Sequence, residues 1–87
     1  MNEAKATWNL YILECSDKTF YTGITNDISN RLRKHNEGKA SRYTRSRRPV
    51  KLVYKEDLND RGTALRRELE IKSLSRAKKE ALILNKF

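Results

Sequence analysis

From Trp8 to Cys15 the chain is apolar on both of its alternating faces. Trp8, Leu10 and Ile12 fall on one side of an extended strand, and Tyr11, Leu13 and Cys15 on the other. A strand with two apolar faces belongs in the middle of a sheet. Ser16-Asp17-Lys18 is turn chemistry, and Thr19 to Thr25 resumes as a second strand, which predicts a hairpin. Asn26 or Asp27 can cap a helix of about ten residues that ends near Gly38. Ala40 to Arg48 has room for one or two helical turns, stopped by Pro49, and Val50 to Tyr54 reads as a third strand. After Asn59-Asp60 a helix is predicted to about Leu74. Ser75 can cap a last one carrying Ala77, Ala81, Leu82 and Leu84. The order ββα(α)βαα predicts an α/β (α+β) fold on a three-stranded, largely antiparallel sheet flanked by helices. No repeat, low-complexity tract or Pro/Gly-rich linker interrupts residues 1–87, so a single domain is expected.

Charge narrows the partners. Twenty Lys and Arg against eleven Asp and Glu give a net charge of +9 on 87 residues. That excess draws in polyanions, nucleic acid first. No basic segment is paired with a clean apolar face, so a membrane surface is not an expected partner. The N-terminus, beginning Met1-Asn2-Glu3-Ala4-Lys5, has no apolar run long enough for a signal peptide or membrane span, and a cytoplasmic location is expected. The single cysteine, Cys15, excludes an intramolecular disulfide framework and a zinc site built from several thiolates; core packing is its expected role. The cations concentrate in one stretch: Lys39, Arg42, Arg45, Arg47 and Arg48 stand with several hydroxyls and Tyr43, and with no acid to neutralise them. Cations contact phosphates, hydroxyls hydrogen-bond them, and Tyr43 can stack on a base or pack under the loop.

Three further groups invite chemistry. At about 100° per residue, Ala64, Leu65, Leu69, Ile71 and Leu74 span a broad apolar arc, with Glu68 near its middle and Glu70 on the opposite side. A buried carboxylate costs several kcal/mol unless it is paired. Glu68 therefore either pairs with Lys72 one turn on or faces the sheet to hold a divalent cation. On the first helix, Ile28 and Leu32 form the apolar seam, Arg31 and His35 share one border of it, and Arg33 and Lys34 face solvent. Tyr11 and Tyr21 lie on strands that should pair. They are either core-edge aromatics or, beside a cation, proton relays; an isolated phenol with a pKa of about 10 is a poor base. Gly23 lets a backbone or ligand approach closely.

In this order, the residues resemble the GIY-YIG nuclease domain in its small stand-alone bacterial form. Leu10-Tyr11-Ile12 is similar to the first signature tripeptide and Tyr21-Thr22-Gly23 to the second. The run from Tyr21 to Leu32 resembles the motif leading into the helix with the family's catalytic arginine, here Arg31. His35 matches a position often held by His or Tyr, and Ala64 to Glu68 resembles the segment with the metal-binding glutamate. The likeness covers roughly residues 8 to 84. It implies a Mg²⁺- or Mn²⁺-dependent cleavage of DNA phosphodiesters, plausible in repair or recombination. Glu68 would then hold the metal, and Tyr11 or Tyr21 would help deprotonate the attacking water. Arg31 would stabilise the pentavalent transition state, and His35 would position water or phosphate. The first tripeptide departs from the pattern in lacking its glycine, and Asn85 corresponds to a late family asparagine only by its place near the end.

The expected substrate is DNA, branched and single-stranded forms included, with RNA compatible. Specificity is expected from the basic stretch, a protein partner or a second copy of the chain. Two rival readings stand beside the nuclease: a non-catalytic nucleic-acid-binding module on a retained nuclease fold, and an adaptor for an acidic protein.

Overall fold

The computed structural model describes residues 7–85. Met1 to Lys5, on which the expectation about a leader segment rests, lie outside the described residues. In chain order the elements are β1 (Trp8–Glu14), β2 (Phe20–Thr25), α1 (Ile28–Asn36), α2 (Arg42–Arg45), β3 (Lys51–Leu58), α3 (Arg61–Lys72) and α4 (Arg76–Leu84). The sheet order is β2-β1-β3, and both pairings are antiparallel. The doubly apolar β1 is thus the central strand, as its pattern predicts.

Each face of β1 seeds its own core. Leu10 and Ile12 pack with Tyr54 and Ile71, joined by Phe20, Val53, Leu58, Leu74, Leu82 and Ile83. Tyr11 and Leu13 pack with Cys15 and Val50, joined by Tyr21, Ile28, Leu32 and Leu52. The first core lies under α3 and α4, the second under α1. Leu10, Ile12 and Leu13 have no exposed surface, and each such side chain contributes roughly 1.5–3 kcal/mol.

Local chemistry sets the boundaries. Asp17 closes the β1–β2 turn by accepting from the Thr19 amide at 3.1 Å and its hydroxyl at 2.6 Å. Asp27, Ser41, Asp60 and Ser75 each cap a helix by accepting an amide hydrogen bond from three residues on, an interaction typically worth about 1 kcal/mol. Gly38 follows α1 with φ of 79°, the left-handed conformation that ends a helix most cheaply with glycine. Asn36 then ties α1 to the start of β3. Its side chain donates to the Val50 carbonyl at 3.0 Å and accepts from the Val50 amide at 2.8 Å.

Two expectations change. β3 runs on through Lys55, Glu56 and Asp57, which pair with Tyr11, Leu10 and Asn9 of β1. Charged residues suit an edge strand, whose outer side meets water, and their polarity hid the extension. Leu69 leaves the apolar arc of α3 and is 69 % exposed. The buried face of α3 centres on Ala64 and Ile71, and Leu69 sits roughly 140° round the helix from Ala64.

Candidate active site

Tyr11 projects from the central strand onto the α1 side of the sheet. In the β1–β2 register Tyr11 stands opposite Gly23 and Leu13 opposite Tyr21, so the two tyrosines are diagonal neighbours on one face. Their ring centroids are 6.4 Å apart. His35, on the last turn of α1, stacks edge-on to both, 5.8 Å from Tyr11 and 5.1 Å from Tyr21. The three rings form one cluster in which Tyr11 and His35 are buried and Tyr21 is half-buried.

Gly23 makes room for this cluster. A Cβ there would stand 2.6 Å from Tyr11 Oη and 2.7 Å from Cζ. The close approach at this glycine is made by the Tyr11 ring, so Gly23 shapes the site by leaving room for it.

A hydrogen-bonded chain runs through the rings. Tyr11 Oη and His35 Nε2 are 2.8 Å apart, and His35 Nδ1 is 2.7 Å from Thr44 Oγ1. Thr44 Oγ1 is in turn 2.8 Å from Ser41 Oγ. Thr44 is completely buried. It and Ser41 are parts of the site that sequence reading missed, because a threonine inside a basic stretch reads as a phosphate contact. The only available signal was Ser41 three residues ahead of Thr44, the spacing of a helix cap.

Burial and charge set the protonation states. Burial, reinforced by the nearby Arg31 guanidinium, lowers the His35 pKa to about 4, so the imidazole is neutral at physiological pH. Burial raises the Tyr11 pKa; Tyr21 and the Glu68 carboxylate raise it too, and Arg31 opposes them. Tyr11 is therefore a protonated phenol in the free protein. The same balance locates the two charged candidates: Arg31 on α1 and Glu68 on α3 both act electrostatically on the Tyr11 oxygen.

The Glu68 side chain is 16 % exposed and lies 3.2 Å from Lys72 Nζ. The ion pair foreseen on the helix therefore forms, and it forms beside the ring cluster. Among the described residues no three His, Cys, Asp or Glu side chains gather into a metal-binding group. A single carboxylate is nevertheless a suitable donor for Mg²⁺ or Mn²⁺, hard cations that complete their shells with water and substrate phosphate. Zinc, which favours several nitrogen or sulfur ligands, does not fit this donor set.

The basic stretch divides. Arg42, Arg45 and Tyr43 are exposed at α2. Arg47 turns back, pairing with Asp17 at 3.1 Å, donating to the Tyr43 carbonyl at 2.9 Å and lying 3.8 Å from the Tyr43 ring centroid. Arg48 donates to the Arg45 carbonyl at 2.8 Å, and Lys39 pairs with Glu37 at 3.7 Å. Arg47 and Arg48 thus hold the loop's shape while remaining on its charged surface. Asn85 is the exposed C-cap of α4, with its amide bonded to the Ala81 carbonyl. Cys15 is buried with its thiol pKa raised mainly by burial, which fits packing and not reactivity. No helix of the described residues is long and apolar enough to cross a membrane.

Residues 7–81 match the GIY-YIG catalytic domain. A UPF0213 protein of Desulfotalea psychrophila is 50 % identical over 80 residues, covering 91 % of this chain and 73 % of its own. One from Halobacterium salinarum is 50 % identical over 74 residues, covering 85 % of this chain and 96 % of its own. The solution structure of the UPF0213 protein from Bacillus halodurans superposes with a TM-score of 0.61 at 45 % identity, over 92 % of this chain and 85 % of that one. The fold, the ordered motifs and these matches agree: the chain belongs to the GIY-YIG family, among its UPF0213 members.

Proposed function

We propose that the protein is a metal-dependent nuclease that hydrolyses DNA phosphodiester bonds at the Tyr11–His35 cluster, acting as a nickase or endonuclease. One observation carries the reading: a buried phenol sits 2.8 Å from a neutral imidazole, within the fields of one guanidinium and one carboxylate. A buried phenol needs one hydrogen-bond partner, but core packing alone does not call for a guanidinium and a carboxylate acting on it as well.

Roles follow from the protonation states. Tyr11 stays protonated and donates its hydrogen to His35 Nε2, while His35 Nδ1–H donates to Thr44. This chain fixes the tautomer that leaves Nε2 able to accept a proton. The phenol oxygen then has a lone pair for the attacking water, and its own proton can move towards His35 as that water is deprotonated. An incoming phosphate opposes the field of Arg31 and raises the proton affinity of His35 as the reaction begins. Tyr21, packed against both rings, closes one side of the cluster and supplies a second hydroxyl. Arg31 offers planar donors to the phosphoryl oxygens, whose charge grows in the transition state. Glu68 would hold Mg²⁺ or Mn²⁺, which when bound supplies a Lewis acid at the scissile phosphate. Arg42 and Arg45, with Lys39, Tyr43, Arg47 and Arg48, form the surface that gathers the strand. The domain acts as a single unit in a cytoplasmic setting, and repair or recombination is the process that such cleavage would serve.

The test incubates purified protein with supercoiled plasmid and with branched and single-stranded oligonucleotides, in Mg²⁺, Mn²⁺ or EDTA. Metal-dependent nicking that Glu68→Ala abolishes while binding persists is the expected result. Binding without cleavage of any substrate would favour the non-catalytic module instead.

A further inference from the structure

Beside the ring cluster a groove of about 250 Å³ opens along the free edge of β2, lined by Phe20, Tyr21, Thr22, Tyr43, Lys72 and Lys79. Four elements supply it: β2, α2, α3 and α4. We propose that this groove is a nucleotide subsite. It would take one unpaired base of the strand being cut against Tyr21 and Tyr43, with the neighbouring phosphate held by Lys79 and Lys72. The proposal rests on the nuclease reading and adds a binding site to it.

Four observations favour this occupant. First, the Tyr21 and Tyr43 rings are nearly parallel, 25° apart with centroids at 6.1 Å, and Tyr43 is 36 % exposed. Such a pair gives a base a broad aromatic surface at little entropic cost, because Arg47 already holds the Tyr43 ring. Second, the lining contains two cations and no acid. Among the described residues Lys79 has no acidic partner, so a half-buried lysine borders the groove without a counter-charge. Third, Lys72 links the groove to the reacting centre, since its ammonium lies 3.2 Å from Glu68. A metal ion on Glu68 would release that ammonium to a phosphate. Fourth, the volume falls below the roughly 300–1,000 Å³ of pockets that enclose drug-sized ligands. It suits one base, not a base pair, so the nucleotide entering it must be unstacked.

Two other grooves lack this combination. The one rimmed by Cys15 carries Glu14, and the apolar one under α4 carries Glu14 and Glu80. Their carboxylates are already paired, Glu14 with Lys51 and Glu80 with Arg76, and neither groove holds a pair of aromatic rings.

The test measures equilibrium binding in EDTA, where cleavage is silent, using the full chain and two probes. One is a single-stranded oligonucleotide carrying 2-aminopurine, and the other is the same sequence fully paired. Tyr43→Ala and Lys79→Ala are each expected to weaken single-strand binding, Tyr43→Ala by about 10- to 100-fold, the range of one lost base stack. Tyr43→Phe should bind like wild type. Lys79→Ala should also lower the salt slope by about 0.7, the contribution of one phosphate on a single strand. Duplex affinity should fall much less than single-strand affinity in both alanine variants. Single-strand affinity unchanged in both alanine variants would overturn the proposal. So would equal weakening on both probes, which would mean that Tyr43 only supports the loop. Because these readouts exclude cleavage, an inactive protein with a working groove would overturn the nuclease reading alone.

Discussion

Gly23→Ala puts the packing of the cluster to a quantitative test. The added Cβ would meet Tyr11 Oη at 2.6 Å, Cζ at 2.7 Å and Cε2 at 3.1 Å. Comfortable carbon contacts lie at about 3.5–4.0 Å, so the ring must retreat by roughly 1 Å. Tyr11 is only 2 % exposed, bonded to His35 and packed on Tyr21, so it cannot retreat without loss. Overpacking of this kind costs about 1–3 kcal/mol, a fall in Tm of roughly 5–20 °C for a chain of this size. A displacement of about 1 Å at a reacting group costs on the order of a hundredfold in rate. Thermal denaturation followed by circular dichroism, with cleavage rates, should be measured for wild type, Gly23→Ala, Tyr11→Ala and the double variant. Removing the ring removes the obstruction, so Gly23→Ala should cost less than about 0.5 kcal/mol in the Tyr11→Ala background, a coupling of at least about 0.5 kcal/mol. A Gly23→Ala protein that melts and cleaves like wild type would refute the reasoning. Equal costs in both backgrounds would refute it as well.

His35 makes stability depend on pH. Its folded pKa is lowered to about 4, below the unfolded value of about 6.5, so between those limits the unfolded chain binds the extra proton. Stability should therefore fall as pH drops from about 6.5 towards 4, by up to about 3 kcal/mol. Urea titrations between pH 7.5 and 4.5 should show this slope and lose it in His35→Gln. Thr44→Val leaves His35 Nδ1 without its hydroxyl partner, at a cost of about 1–3 kcal/mol. It should lower kcat and shift the pH–rate profile with KM nearly unchanged, and Thr44→Ser should restore both. Reversing Arg42 and Arg45 to Glu should flatten the salt dependence of duplex binding, by about 0.9 in slope for each phosphate no longer neutralised. An unaltered slope on a salt titration would remove these two residues from the interface.

The legible part of the chain was its local chemistry. The two faces of β1, the turn at Asp17 and the caps at Asp27 and Ser75 are encoded by neighbours in sequence, and the structure has them where the pattern put them. The Glu68–Lys72 pair was visible for the same reason, being one helical turn long. What escaped was set by distant contacts. Nothing local marks Gly23 as the seat of the Tyr11 ring, or Thr44 as the partner of His35 nine residues earlier. Leu69 misled because apolar content was read as burial, when the position of the sheet decides which side of α3 is covered. Lys79 stood out in no pattern at all. It gains meaning only where α4 brings it to the edge of β2.

The central claim is that one constellation of Tyr11, Arg31, His35 and Glu68 cleaves a phosphodiester. Single-turnover cleavage of an end-labelled oligonucleotide in Mg²⁺, comparing wild type with Glu68→Gln, tests it most directly. The account predicts a metal-dependent wild-type rate that falls at least about a hundredfold in Glu68→Gln, with Tm and oligonucleotide affinity in EDTA retained. Cleavage that proceeds undiminished in Glu68→Gln, or equally well in EDTA, would contradict it.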